Sequence, residues 1–357
     1  MLHTLLPILL FAALALAVIG AGKRFLMWRR GRPAQVDWLG GLLAMPRRYM
    51  VDLHHVVARD KYIANTHVAT AGGFVLAAVL AIVVHGFGLH SRILGFALLA
   101  ACALMFGGAL FVAKRRLDPP SRLSKGPWMR LPKSLLMFAA SFFIATLPVA
   151  GILPADFGGW VLAIVLSIGV AWGVSELFFG MTWGGPMKHA FAGALHLAWH
   201  RRSERFGGGR STGLKALDLN DCNAPLGVEK PTDFTWNQLL GFDACVQCGK
   251  CEAACPAFAA GQPLNPKKLI QDMVVGLAGG TDAKFAGSPY PGKPVGEHSG
   301  GPHLPIVNLN GKALVDAETL WSCTTCRACV EECPMMIEHV DAIVDMRRHL
   351  TLEKGAT

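Results

Sequence analysis

The sequence predicts a mainly α-helical protein in two parts, a bundle of five transmembrane helices followed by a smaller, all-helical domain organised around cysteine. Three observations carry the prediction. Mean hydropathy is +0.40 with only 16% charged residues in 357. Apolar runs cover about 2–22, 68–89, 93–113, 134–153 and 157–181, each near the ~20 residues that a helix needs to cross about 30 Å of hydrocarbon. Eight of the ten cysteines then fall in two copies of one motif downstream.

Lys and Arg near span ends stay on the cytoplasmic side, so the basic loops set the orientation. Segment 23–66 carries Lys23, Arg24, Arg29, Arg30, Arg32, Arg47, Arg48, Arg59 and Lys61, and segment 114–133 is equally basic, whereas the connections at about 86–92 and 154–156 offer only Arg92. The N-terminus is therefore expected outside and the C-terminal half in the cytoplasm. The first run lacks a basic leader and has its charges after it, which suits an uncleaved anchor better than a secretory signal. The net charge of +10 concentrates in loops that face an anionic leaflet, so no nucleic-acid partner is called for. We expect a transmembrane domain over 1–205 that closes with an interfacial helix at 187–202, a linker over 206–235, and a cysteine domain over 236–357 with an inserted loop at 279–312.

The cysteines stand as C-x2-C-x2-C-x3-C-P at Cys245, Cys248, Cys251, Cys255 and again at Cys323, Cys326, Cys329, Cys333. In this pattern three thiolates bind one cubane and the fourth reaches the other cluster past a proline. Two [4Fe-4S] clusters are expected, one on Cys245, Cys248, Cys251 and Cys333, the other on Cys323, Cys326, Cys329 and Cys255. Structural zinc prefers separated pairs of ligands, and disulfides conflict with a reducing cytoplasm. The insert opens with a helix candidate, NPKKLIQDMVVGLA, and an amphipathic helix over about 336–353 closes the chain, with Ile337, Val340, Ile343, Val344 and Leu350 near helical spacing. The domain thus reads as a mainly helical, ferredoxin-like module. Gly249 follows the second cysteine of the first motif, where a small residue lets backbone amides approach sulfur; the second motif has Arg327 there, a difference that would separate the two reduction potentials. Cys102 reads as a small apolar helix residue, and Cys222 has no partner motif.

Thirteen histidines raise the question of a b-type haem. His67 and His85 bracket the second run 18 residues apart, about 27 Å along a helix, too far to share one haem. On the outer side His85 and His90 find no histidine in 134–180, which leaves only His3. On the inner side the choice is wider, from His54, His55 and His67 to His189, His196 and His200, the last three on one helical stripe. A pair such as His67 with His189 would hold one inner haem. An amphipathic helix lying on the membrane surface accounts for the same stripe. Glu176, in GVAWGVSELFFGM, is an intramembrane carboxylate that needs a partner or a polar cavity and is a candidate quinone or proton site; placement near the inner end of its span is the plainer alternative.

The stretches PRRYMVDLHHVVARDKYIANTHVATAGGF, GPMKHAFAGALHLAWHRRSERFGG, TDFTWNQLLGFDACVQCGKCEAACPAFAAGQPLNPKKLI and LWSCTTCRACVEECPMMIEHVDAIVDMRRHLTLEKGA resemble the family of dimethylglycine-catabolism iron-sulfur proteins of proteobacteria. The arrangement is also similar to heterodisulfide reductase-like and electron-transfer-flavoprotein:quinone oxidoreductases with a nitrate-reductase-gamma-like membrane part. The resemblance implies an inner-membrane subunit of an oxidoreductase that takes electrons from a cytoplasmic flavoprotein oxidising an N-methyl amine such as dimethylglycine, and passes them toward quinone. Members of the family continue into Cys-Cys-Gly repeat domains, which the resemblance places in a further region or a separate subunit. A redox sensor or scaffold is the competing class, but it suits incomplete ligation, and both cysteine sets here are complete. A transporter would show paired broken helices, and none stands out.

Overall fold

A computed structural model describes residues 2–154, 156–202, 206, 214, 216–218, 220–221, 224–278, 300–307 and 313–356. Cys222, most of the expected linker and most of the inserted loop lie outside the described residues. The named elements are helical, and strand-like pairing among the described residues is an isolated parallel bridge between Arg32 and Thr235. Helix α1 covers Leu2–Trp28, α2 Trp38–Arg47, α3 Lys61–Gly86, α4 Arg92–Leu117, α5 Leu131–Thr146, α6 Gly159–Thr182 and α7 Lys188–Trp199. Among the described residues, α1, α3, α4 and α6 are long and apolar enough to cross a membrane.

The run expected to span 134–153 folds differently. Helix α5 has 16 residues, about 24 Å at 1.5 Å per residue, and the chain then proceeds as overlapping turns, Leu147 N–H to Ile144 O, Gly151 N–H to Pro148 O and Ile152 N–H to Leu147 O. Pro148 lacks the amide that would continue the ladder, and Gly151 turns left-handed at φ 75°.

The chain divides into two compact units. The first comprises 1–23, 57–119 and 127–187; the second comprises 24–56, 120–126 and 188–357. In the first, α3 packs on α4, α4 on α5, and α5 on α6. The hydrophobic effect offers little between helices in lipid, so close approach through small residues does the work. A Cβ on Gly73 would lie 2.7 Å from the Met105 amide nitrogen, and one on Gly173 would lie 2.7 Å from the Phe138 Cβ. Phe74, Phe138, Phe142 and Phe178 fill the space beside these contacts, with ring centroids 4.7 Å apart for Phe138 and Phe142.

The second unit gathers the basic segment 24–56, the loop 120–126 and α7 with the cysteine region, a division different from the one expected at residue 205. The organising feature is a buried carboxylate. Asp243 accepts from Arg24 Nη1 at 3.1 Å and Trp28 Nε1 at 2.7 Å and pairs with Lys188 Nζ at 3.1 Å. Burial works to raise its pKa, and Arg24, Lys188 and the indole outweigh it, so the carboxyl is held below the usual range. Helix α7, the helix expected at the membrane surface, packs within this unit. Lys188, Ala192, Gly193, His196, Leu197 and Ala198 are buried, and Arg48 Nη1 donates to the Leu197 and His200 carbonyls at 2.7 Å each, closing the helix end.

Overpacking a helix crossing typically costs ~1–3 kcal/mol. Gly73→Ala is expected to lower the thermal unfolding midpoint of the detergent-solubilised protein, whereas Gly72→Ala, whose Cβ meets nothing within 4 Å, leaves it unchanged. Equal midpoints for the two variants would refute the close-approach account.

Candidate iron-sulfur centre

Helix α8, Trp236–Asp243, leads into the first motif. Thr235 caps it with a box to Gln238, whose Oε1 accepts from the Thr235 amide at 2.9 Å. The Asp243 cluster then fixes the chain two residues before Cys245. The short helices α9, Lys250–Ala253, and α10, Pro256–Ala259, carry Cys251 and follow Cys255. Helix α11, Pro266–Ala278, has Asn265 accepting from the Lys267 and Lys268 amides, which suits its sequence of Asn before Pro. The second motif repeats the pattern: α12 covers Ala317–Trp321, α13 Ala328–Glu331 and the closing α14 His339–Lys354.

The two motifs share a backbone trace. Gln247 and Gly249 take positive φ, 50° and 69°, and so do Thr325 and Arg327 at the matching positions, 55° and 63°. In the second motif the Thr325 amide nitrogen lies 3.4 Å from the Cys323 sulfur, and just after the motif the Ile337 amide nitrogen lies 3.4 Å from the Cys333 sulfur. The reason for glycine at 249 is tertiary. A Cβ there would collide with the Arg122 carbonyl oxygen, because the 120–126 loop closes over this site, with Arg122 Nη1 donating to the Cys248 carbonyl at 2.7 Å. Arg327 holds its left-handed backbone, a cost of ~1–2 kcal/mol, under ion pairs to Glu338 at 2.7 Å and Asp341 at 3.0 Å.

Two cavities result, both within the second unit. One is lined by Cys245, Cys248, Cys251 and Cys333 together with Lys267 and His339. The other is lined by Cys255, Cys323, Cys326 and Cys329 together with Arg327 and Val340. The fourth thiol of each motif therefore lines the cavity of the other motif. Burial, and then the neighbouring thiols of the same cavity, push Cys251 well above the ordinary thiol range and Cys329 to about 12; burial also takes Cys245 to about 11. Four crowded thiols that resist ionisation suit a polycationic ligand, whose binding displaces the protons. Among the described residues no group of three or more His, Cys, Asp or Glu side chains is drawn tightly enough to hold a single metal ion. Each set surrounds a volume, which fits a cluster better than one zinc.

Sequence reasoning missed the second layer. Lys267 is fully buried, with Nζ 2.7 Å from the Arg122 carbonyl and 3.0 Å from Glu252, and Gln271 accepts from Gln247 Nε2 at 2.8 Å. Only the Asn-Pro helix start in front of Lys267 signalled anything, and it signalled a cap.

The histidines are dispersed. His67 lies in α3 in the first unit, while His54, His55, His189, His196 and His200 lie in the second. His196 is buried, donates from Nε2 to the Met335 carbonyl at 2.8 Å, and stacks on His200 with centroids 4.5 Å apart, leaving no porphyrin-sized gap between them. His54 donates from Nδ1 to the Tyr49 carbonyl at 2.7 Å, and exposed His55 meets Phe206 edge-on. At the other end of the first unit His3 faces His90, and His85 donates to Thr146 at 2.9 Å. Glu176 sits in a π turn, Ser175–Phe179, and its partner is Arg130 at 3.1 Å.

The fold and the two thiol cavities define a membrane-anchored, ferredoxin-like iron-sulfur protein. A 4Fe-4S dicluster domain is matched over residues 241–337. The chain belongs to the family described as Domain of unknown function (DUF3483), matched over residues 3–222. It is 75% identical to a "Probable membrane-anchored ferredoxin" of Chromohalobacter salexigens over 362 residues, covering 100% of this chain and 54% of that protein. It is 41% identical to an "EtfAB:quinone oxidoreductase" of Syntrophomonas wolfei over 36% of this chain and 19% of that protein. A "Probable iron-sulfur-binding oxidoreductase FadF" of Bacillus subtilis is 32% identical over 52% of this chain and 28% of its own length. The chain thus spans about half the length of the first relative and less of the others. No solved structure matches it.

Two tests follow from this geometry. Gly249→Ala is expected to reduce iron bound per chain in anaerobically purified protein, because the Arg122 loop must move; Gly261→Ala, also at positive φ (76°) but with nothing within 4 Å of its Cβ, should bind iron normally. His196 bears on pH. Burial, opposed by the Met335 hydrogen bond and aided by Arg48, lowers its pKa from 6.5 to about 4, so the unfolded chain takes the proton first. Its contribution to stability is complete above pH ~6.5 and is lost as pH falls toward ~4, on the order of 3 kcal/mol in all. His196→Gln, which keeps a donor to Met335, should flatten the difference in unfolding midpoint between pH 7 and pH 5; an unchanged slope would contradict the buried neutral imidazole.

Proposed function

We propose that the chain is a membrane-anchored electron conduit holding two [4Fe-4S] clusters, one on Cys245, Cys248, Cys251 and Cys333 and one on Cys323, Cys326, Cys329 and Cys255. The single observation that carries this reading is the crossed lining of the cavities, in which each motif lends its last thiol to the other. When bound, such clusters supply one-electron redox steps. The residues around them insulate and orient: α11 and the Arg122 loop close over the first cavity, while Cys326 is exposed and Cys323 half-buried at the second, the edge suited to a soluble partner.

The donor in this proposal is a cytoplasmic flavoprotein that oxidises an N-methyl amine such as dimethylglycine, and the acceptor is membrane quinone. Supporting it are the resemblance of the motifs and the likeness to a relative described as an EtfAB:quinone oxidoreductase. The basic segments support an outside N-terminus and a cytoplasmic cysteine domain at a bacterial inner membrane, with α5 and its trailing turns as a fifth crossing.

Cluster assignment is tested by paramagnetic resonance of reduced protein. Cys333→Ser should lose or alter the same signal as Cys245→Ser and leave the one that Cys255→Ser removes. Signals that instead group each motif's own four cysteines, or metal analysis showing zinc or far fewer than about eight irons per chain, would overturn the reading. Reoxidation of the reduced protein in lipid nanodiscs by a quinone analogue tests the acceptor.

A further inference from the structure

Helix α2 is inverted relative to a helix on a soluble surface. Leu39, Leu42, Leu43, Pro46 and Met50 fall at i, i+3, i+4, i+7 and i+11, one helical face, and Leu39, Leu43 and Met50 are 69%, 74% and 60% exposed. The opposite side is the packed one. A Cβ on Gly41 would collide with the Ala198 carbonyl of α7, Arg48 is bound to the end of α7, and in the continuing π turn Asp52 is held by Arg202 at 2.9 Å.

Two constraints name what covers the apolar face. The segment is tethered at both ends to candidate spans: α2 begins ten residues after Trp28, and the π turn Arg48–Leu53 and helical turn His54–Val57 that continue it end four residues before Lys61, where α3 starts. Four residues reach at most about 14 Å, so this stretch cannot leave the neighbourhood of the span end. Its surroundings are net basic, with exposed Arg29, Arg30, Arg47, Arg59 and Lys61 against exposed Asp37 and Asp60, which complements anionic headgroups. Trp38, half-exposed and stacked on Trp236 at 5.1 Å, is the residue type favoured at that depth.

We infer that α2, with the π turn that continues it, lies in the membrane plane, and that Leu39, Leu42, Leu43 and Met50 enter the boundary between headgroups and acyl chains. The sequence pointed to α7 for that role; α7 is occupied by protein, and α2 has the free apolar face.

The test uses the full chain in nanodiscs containing phosphatidylglycerol. Leu43 and, as a water-exposed reference, Glu353 are replaced singly by p-azidophenylalanine and coupled to a nitroxide, which spares the native cysteines. A label at 43 open to dissolved oxygen, with accessibility to aqueous nickel chelate several-fold below that at 353, supports the inference. Nickel accessibility equal to that at 353 overturns it. Protection from both reagents also overturns it, in favour of a protein partner or a second copy on this face.

Discussion

One buried carboxylate organises the second unit. Asp243 is the shared acceptor for Arg24 and Trp28 at the end of α1, and for Lys188 at the start of α7, side chains some 55 to 219 positions away in the chain. Taking three charges out of water is favourable only when each is satisfied, and removing one partner from such a group commonly costs ~3–5 kcal/mol. The arrangement is therefore close to all-or-none. Because Asp243 stands two residues before Cys245, the same ion cluster that joins α1, α7 and α8 also sets where the first motif begins.

The motifs themselves are under local tension of a kind common at functional sites. Among the described residues four outside glycine, Gln247, Thr325, Arg327 and Met336, carry positive φ, and all four lie within or beside the cysteine motifs. Local sterics oppose these conformations, so the surroundings must hold them: Gln271 binds Gln247, and Glu338 with Asp341 binds Arg327. Crowded thiols add a second opposing term, since burial alone disfavours their ionised forms. Such a domain has little to gain from folding around an empty site, and the metal chemistry and the backbone chemistry support one another.

The two units solve different solvent problems. In the first, apolar side chains face outward by design, and packing relies on glycine contacts and on an aromatic cluster between α3, α5 and α6. In the second, charge is carried inside: Lys188, Lys267, Asp243 and Asp272 are all buried, each with an ionic partner. That inversion explains why mean hydropathy alone separates the halves of the chain but does not place the basic segments 24–56 and 120–126, which pack with the cysteine region.

Helix type, four of the long apolar helices, the helix starting at Asn265-Pro266 and the closing helix were legible in the sequence, because hydropathy, periodicity and capping act over one or two turns. The thiols that gather were legible too, since a spacing of two or three residues is itself a geometry. Tertiary structure alone decided that Gly249 makes room for Arg122, that Lys267 is buried, that Glu176 meets Arg130, and that α2 rather than α7 shows its apolar face. Each of those depends on a partner tens to hundreds of residues away, and a single chain's local pattern carries no record of which distant atom will arrive.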